Sequence, residues 1–130
     1  MNENRDVLSP MVARVKLTLH AEERFFGPGV CELLERIGQT GSIQSAAGEM
    51  EMSYTKAWRI LNRAEKAMGI PLITRMSGGR RGGSSTLTTA GEAAIRDFRA
   101  MEAALNAAAD ALLKRHIATF AHHREDEGKP

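Results

Sequence analysis

The sequence lacks the features that define several large classes of protein. Its 130 residues contain one cysteine, Cys31, so no disulfide can form within the chain. No run of about 18 apolar residues is present, which argues against a membrane-spanning helix and a membrane partner. The first ten residues contain no apolar stretch of the kind found in secretory signals. Together these absences predict a cytoplasmic protein.

Motifs for catalysis and nucleotide binding are missing as well. No Gly-x-Ser-x-Gly elbow or other nucleophile motif is present, so no enzyme is expected. The spacing from Gly78 to Gly83 matches a P-loop, but Ser84 stands where the phosphate-binding lysine is required. Three histidines between residues 116 and 123 lie near acidic residues, but a charged tail is favoured over a metal site. No catalytic residue and no metal ligand is therefore predicted.

The net charge of +2 conceals an uneven distribution of charge along the chain. Residues 53–91 carry seven basic side chains and one acidic side chain, whereas residues 1–52 sum to −3 and residues 92–130 to −1. Such asymmetry within one small domain is typical of a protein that binds a polyanion, nucleic acid above all. By charge alone, a solvated basic surface is an equal alternative.

Hydrophobic periodicity predicts one strand followed by three helices. Residues 13–20 alternate apolar and polar side chains, the pattern of a half-buried strand. Helical spacing then runs over about 28–39, 43–50 and 54–68. A serine precedes each of the last two helices as an N-cap, and a glycine follows the first and the third.

The second and third helices are joined by a turn of three or four residues, and the third has two different faces. Its apolar face includes Trp58, which is favoured as a core residue over a base-stacking one, and Tyr54, which suits both roles. The opposite face is polar and basic, with Thr55, Lys56, Arg59, Arg63 and Lys66. This arrangement is the helix-turn-helix pattern.

Two short β-like runs, residues 71–75 and 85–88, flank the sequence SGGRRGGSS. The intervening glycines predict a hairpin whose tip holds out Arg80 and Arg81. A linker is disfavoured because neither flank is a domain by itself. A hairpin beside a helix-turn-helix is a wing, whose arginines are suited to DNA phosphate or the minor groove. A solvated hairpin tip is the alternative.

A last helix is predicted from residues 89–92, Thr-Ala-Gly-Glu, which match a capping box. Its apolar positions recur with 4-3-4-3-4 spacing, as in a seam shared by two helices. Packing back on the first helix is the alternative. The predicted seam, and hence the predicted dimer interface, consists of Ala94, Phe98, Met101, Leu105, Ala108 and Leu112.

The fold class predicted is mainly α with a small β wing. A winged helix-turn-helix domain spans residues 11–88 and a dimerisation helix spans 89–118, between a flexible N-terminus (1–10) and a charged tail (119–130). The predicted DNA-binding residues come from the start of the second helix, the third helix and the wing. They are Ser42, Gln44, Ser53, Tyr54, Thr55, Lys56, Arg59, Arg63, Arg75, Arg80 and Arg81.

Several short motifs together resemble a known family. These are Ser-Ile at 42–43, Ser-Tyr at 53–54, Ala-Trp at 57–58, the Gly- and Arg-rich wing, and Leu-Thr-x-x-Gly at 87–91. They resemble the LysR-type winged helix and, more closely, the N-terminal DNA-binding domain of the molybdate-responsive ModE regulators. The likeness covers about residues 11–115. It implies a domain that dimerises through its long terminal helix and binds a palindromic operator.

In that family molybdate is bound by a separate, C-terminal, β-rich domain. These 130 residues contain no corresponding segment, so no cofactor is expected here. Either an effector domain lies on another chain, or the protein is a one-domain regulator. The expected function is a homodimeric transcriptional regulator that binds double-stranded DNA. The alternative is an adaptor that uses the same basic face to bind an acidic protein.

Overall fold

The computed structural model describes residues 11–76 and 83–121. Their elements, in chain order, are β1 (Leu19–His20), β2 (Arg24–Phe26), α1 (Pro28–Thr40), α2 (Ile43–Glu49), α3 (Tyr54–Met68), β3 (Ile73–Met76), β4 (Ser84–Leu87) and α4 (Thr89–Arg115). β1 pairs with β2 and β3 with β4, both antiparallel. The predicted fold class, mainly helical with a small β wing, is confirmed. Within these residues no helix is both long and apolar enough to cross a membrane.

The chain divides into two compact units, Lys16–Met101 and the combination of Met1–Val15 with Glu102–Pro130. The first unit contains the helix-turn-helix and the wing. Its core consists of apolar side chains from α1, α2 and α3, closed by the two strand pairs and the start of α4. The buried side chains are Phe26, Cys31, Leu33, Leu34, Ile37, Ile43, Ala46, Ala47, Ala57, Leu61, Ala64, Leu72, Ile73 and Phe98. Burying each of the larger ones stabilises the fold by about 1.5–3 kcal/mol.

The helix boundaries follow local signals in the sequence. Ser42 and Ser53 cap α2 and α3, and each hydroxyl oxygen accepts a backbone N–H from three residues further on, at 3.0 Å. Gly41 and Gly69 end α1 and α3 in the left-handed conformation, with φ of 74° and 73°. A side chain is rarely tolerated there, so glycine sets both ends. The predicted boundaries of these helices are confirmed to within one residue.

The strand predicted over residues 13–20 is wrong for most of its length, because β1 has only two residues. The N–H of Ala13 donates instead to the carboxylate of Asp110 at 2.8 Å. The N–H of Val15 donates to the side-chain oxygen of Asn106 at 2.7 Å. These backbone groups are satisfied by side chains of a helix, so the alternating pattern does not require a neighbouring strand.

The start of α4 also differs from the prediction. Its N-cap is Thr88 rather than Thr89, since the Thr88 hydroxyl accepts the N–H of Gly91 at 3.0 Å and donates to the carbonyl of Pro71 at 2.8 Å. The third helical position is therefore Gly91, and Glu92 lies one position too late to complete a capping box.

Gly91 lets α4 begin directly against the segment that enters β3. A Cβ atom at this position would overlap the carbonyl oxygen of Leu72. That carbonyl also accepts the N–H of Thr88 at 3.0 Å, which fixes the distance between the two segments. The glycine of the Leu-Thr-x-x-Gly motif is thus explained by a close approach of backbones.

We expect Gly91→Ala to lower the free energy of unfolding by at least about 2 kcal/mol, because the backbone of Leu72 has to move. Gly48→Ala is a matched control, since Gly48 lies within α2 and a Cβ there would meet no atom within 4 Å. This control should raise stability by up to about 1 kcal/mol. Urea unfolding measures the free energy of unfolding of both variants. An equal change of the same sign in the two variants would contradict the close approach of the backbones at Gly91.

A paired carboxylate and guanidinium link α1 to α4. Arg99 donates to both carboxylate oxygens of Glu35, at 2.8 and 3.1 Å. The hydrogen bond from Arg99 lowers the pKa of Glu35, and the positive charges of Arg99 and Arg36 lower it further, while partial burial opposes them. The ionised form of Glu35 is favoured more in the folded state than in the unfolded state. The pair therefore stabilises the fold at pH values above the ordinary pKa of glutamate, and this stabilisation is lost as the pH falls through the lowered pKa.

We expect Glu35→Gln to be less stable than the unmodified protein at about pH 7, by about 1 kcal/mol or less since the pair is partly exposed. The difference should be smaller at about pH 3, because the stabilising effect of a carboxylate with a lowered pKa is lost progressively as pH falls. Urea unfolding at the two pH values measures it. A difference that grows on acidification would contradict the assignment.

Candidate nucleic-acid interface

A tight turn sets the angle between α2 and α3. It includes Glu51, whose φ of 56° lies in the left-handed region that non-glycine residues seldom adopt. Met52 donates its N–H to the carbonyl of Ala47 at 3.0 Å, which closes the turn. On the inner side, alanines 46 and 47 of α2 and Ala57 of α3 are all buried in the same core. Small side chains there allow the two helices to lie close together.

The outer face of α3 is exposed and basic. A groove of about 520 Å³ runs along it, and Trp58 forms part of its wall. The structure therefore brings together the predicted residues of this face. The predicted DNA contacts that line the groove are Thr55, Arg59 and Arg63. Lys66, another basic residue of the same face, lines it as well. Lys56, one residue after Thr55, is also exposed.

Asn62 belongs to this face but was missed from the sequence. It is exposed and lines the groove between Arg59 and Arg63. Its position, seven residues after Thr55 and three after Arg59, places it on the same side of a helix, so the spacing alone identifies it. An asparagine amide is suited to bidentate contact with adenine in the major groove.

A second groove, of about 570 Å³, lies where α2 and α3 begin and where β3 and β4 pass. Ser42, Gln44 and Tyr54 line it, so these three predicted residues share one surface. Tyr54 is 49% exposed and meets the ring of Trp58 edge-on, with centroids 6.2 Å apart. Trp58, predicted in the core, is half-buried at its margin. The oxygens of Ser42 and Ser53 are used in helix caps, which leaves their hydroxyl protons for a phosphate.

Arg75, predicted as a DNA contact of the wing, packs against α3. Its guanidinium carbon lies 3.9 Å from the centroid of the Trp58 ring, and Nη2 lies 3.5 Å from a carboxylate oxygen of Glu65. Nε and Nη2 are shielded from solvent. The attraction of the ring face and the carboxylate positions this cation. Arg75 also lines the second groove with Ser42, Gln44 and Tyr54, and its side chain is 29% exposed, so its role as a DNA contact stays a prediction.

The wing strands pair in register from Ile73 opposite Leu87 to Met76 opposite Ser84. The buried Ser85 donates its N–H to the carbonyl of Gly41 at 2.8 Å, which attaches β4 to the loop before α2. Arg80 and Arg81, predicted at the wing tip, lie outside the described residues.

One acidic side chain partly offsets the basic face of α3. Glu23, in the turn between β1 and β2, lies 3.4 Å from the Nε of Arg63. Both side chains are exposed, so the pair is weak and easily broken. Arg63 is therefore available to another anion once it leaves Glu23.

The predicted dimer seam divides into two parts. Phe98 is 2% exposed and packs on Phe26 with ring centroids 5.1 Å apart, and Ala94 packs against the same core. Phe98 is therefore withdrawn from the predicted interface, since the domain's own core already uses it. The later positions are exposed: Met101, Leu105, Ala108 and Leu112.

The geometry is that of a winged helix-turn-helix, and comparison with known proteins identifies the family that it resembles. Residues 30–92 match the family of bacterial regulatory helix-turn-helix proteins, lysR family. The chain is 42% identical over 71 residues to the molybdenum-pterin-binding protein MopB of Rhodobacter capsulatus, covering 55% of this chain and 26% of MopB.

Two ModE proteins are also similar. The molybdenum transport protein ModE of Azotobacter vinelandii is 37% identical over 83 residues, covering 64% of this chain and 31% of the relative. The DNA-binding transcriptional dual regulator ModE of Escherichia coli K12 is 33% identical over 87 residues, covering 66% and 33%. The chain thus spans about a quarter to a third of the length of these relatives.

Residues 30–92 therefore form a helix-turn-helix domain of the LysR type, in a chain that is similar to ModE proteins. The matched family consists of regulatory proteins, in line with the prediction that the chain is not an enzyme.

We expect Glu23→Gln to bind DNA of random sequence about two- to fivefold more tightly, because Arg63 no longer has to leave a carboxylate. The gain should disappear in an Arg63→Ala background. Fluorescence anisotropy with a labelled duplex measures both.

Glu22→Gln is the matched control. It removes the same charge from the same turn, and Glu22 forms no ion pair with any residue that the structure describes. An equal gain in both variants would show a general charge effect and contradict a specific role for the Glu23–Arg63 pair.

Proposed function

We propose that this chain is a transcriptional regulator that binds double-stranded DNA in the cytoplasm as a homodimer. The observation that carries this proposal is the exposed face of α3, where four cationic side chains surround Thr55 and Asn62. These cations are Lys56, Arg59, Arg63 and Lys66. The one acidic residue of α3, Glu65, does not line this groove, since its carboxylate is turned toward Leu72 and Arg75. A helix of this kind, standing free beside a wing, suits the major groove.

The contacts divide into those that read bases and those that hold phosphates. Arg59 and Asn62, near the middle of α3, carry the side-chain types that pair with guanine and adenine edges. The hydroxyls of Ser42 and Ser53, the amide of Gln44 and the charges of Lys56 and Lys66 suit the sugar-phosphate backbone. The arginine pair at 80–81 adds charge from the wing.

A homodimer is supported by the exposed apolar stripe on the later part of α4. Met101, Leu105 and Leu112 are 45%, 38% and 53% exposed. Apolar side chains that recur on one stripe of a helix are stabilised when a second helix covers them and removes them from water. Two copies would present two α3 helices to a palindrome, with half-sites about one or more turns of DNA apart.

The names of two of these relatives, MopB and the ModE of Azotobacter vinelandii, concern molybdenum. The expectation that residues 1–130 bind no molybdate or other cofactor themselves stays a prediction. The proposed DNA contacts do not depend on it.

We expect Arg59→Ala to weaken binding to the preferred site by roughly 1–3 kcal/mol and to weaken binding to random DNA much less. The preferred site is obtained by selecting bound duplexes from a random pool. Arg96→Ala is the control, because Arg96 is an exposed arginine of α4 that pairs with the neighbouring Asp97. An equal loss on both DNAs would make Arg59 a phosphate contact and remove its role in sequence reading.

We expect the double variant Met101→Asp, Leu105→Asp to be a monomer that keeps its helical content but loses tight binding to a palindromic site. Burying charged side chains between two copies is strongly unfavourable. Light scattering and circular dichroism measure the two properties.

The control double variant, Ala103→Asp with Ala107→Asp, changes exposed residues on the opposite side of α4 and should stay dimeric. A monomeric unmodified protein at micromolar concentration would contradict the proposed assembly. So would an Asp variant of the stripe that remains a dimer.

A further inference from the structure

Glu65 is the single acidic residue between residues 53 and 91, and it is turned away from the basic face. Its side chain is 15% exposed. Oε2 accepts the backbone N–H of Leu72 at 2.8 Å, with a longer contact of 3.4 Å from the N–H of Ile73. The carboxylate of α3 therefore holds the backbone at the point where the first wing strand begins.

Arg75, two residues further along β3 than Ile73, completes this attachment. Its guanidinium lies between the ring of Trp58 and the second carboxylate oxygen of Glu65, at 3.9 Å and 3.5 Å. Nε and Nη2 have no hydrogen-bond partner among the described residues and are closed off from water. The side chain is 29% exposed in all, and its shielded nitrogens are held against the carboxylate and the face of the ring.

These contacts fix β3 to α3 at two points, Trp58 and Glu65, which lie two helical turns apart. We propose that Glu65, Arg75 and Trp58 form a positioning clamp that sets the orientation of the wing relative to α3. With the clamp closed, α3 and the wing reach the same DNA together, and the contribution of each depends on the other. The three side chains act through the wing, by fixing β3 to α3. This inference rests on the proposed DNA-binding function.

The wing has independent attachments that keep it folded when the clamp is weakened. The N–H of Ser85 in β4 donates a hydrogen bond to the carbonyl of Gly41. Thr88 donates hydrogen bonds to the carbonyls of Pro71 and Leu72. Glu65→Gln keeps one acceptor oxygen for Leu72 and loses the charge that holds Arg75. The expected consequence is a folded domain whose wing is no longer held at one angle.

The test is a double-mutant cycle on DNA binding between Glu65→Gln and the wing variant Arg80→Ala, Arg81→Ala. In the unmodified background the wing variant should weaken binding about tenfold and lower the salt slope by up to about 2. In the Glu65→Gln background it should weaken binding less than about threefold and change the slope by less than about 1. Arg75→Lys keeps the charge but loses the planar group on Trp58, and it should reduce the wing's contribution in the same way.

Glu35→Gln is the matched control, because Glu35 and Arg99 form a partly exposed ion pair that joins α1 to α4. In that background the wing variant should have its full effect, which separates positioning from general loss of stability. Circular dichroism verifies that each variant is folded, and Arg75→Lys carries the test if Glu65→Gln is not.

Each outcome bears on one of the two proposals. If the unmodified protein binds no DNA, the proposed function is wrong. If it binds DNA and the wing variant has the same effect in all backgrounds, the clamp is wrong and the proposed function stands. The clamp is also wrong if the wing variant has no effect in the unmodified protein.

Discussion

The burial of the Glu65 carboxylate shapes both the surface charge and the architecture of the DNA-binding domain. It removes the only negative charge of residues 53–91 from the surface, so the cations of α3 face solvent without an opposing acid on their own helix. The same carboxylate binds the backbone of the first wing strand. A partly buried carboxylate is stabilised by hydrogen-bond donors and a cation, and here these come from Leu72 and Arg75. The side chain of Glu65 therefore joins α3 to the wing.

Those parts of the fold that depend on local chemistry were predictable from the sequence. Serine caps, left-handed glycines and the spacing of apolar residues placed α1, α2 and α3 within one residue of their observed ends. The basic face of α3 was predictable for the same reason, since side chains three and four residues apart must share one side of a helix. Asn62 obeys this rule and was missed only because charge, rather than spacing, had defined the face.

The parts that were predicted incorrectly depend on partners far away in the sequence. In residues 13–20, the backbone N–H groups of Ala13 and Val15 donate to the side chains of Asp110 and Asn106, about ninety residues later, and not to a neighbouring strand. The contacts of Arg75 with Trp58 and Glu65 were not predicted at all, because no local pattern reports the distances between these side chains. Phe98 fits a helical seam, yet its ring packs on Phe26. In each case a tertiary contact decided between two structures that the local pattern allowed equally.

The most direct test of the central claim is the salt dependence of binding between the unmodified protein and a duplex of random sequence. The claim is that the exposed cations of α3 bind the phosphates of DNA. Each neutralised phosphate contributes about −0.9 to the slope of log affinity against log salt. The account predicts measurable binding at low salt and a slope of about −3 or steeper, reflecting three or more such contacts. Absence of binding, or an affinity that does not change with salt, would contradict it.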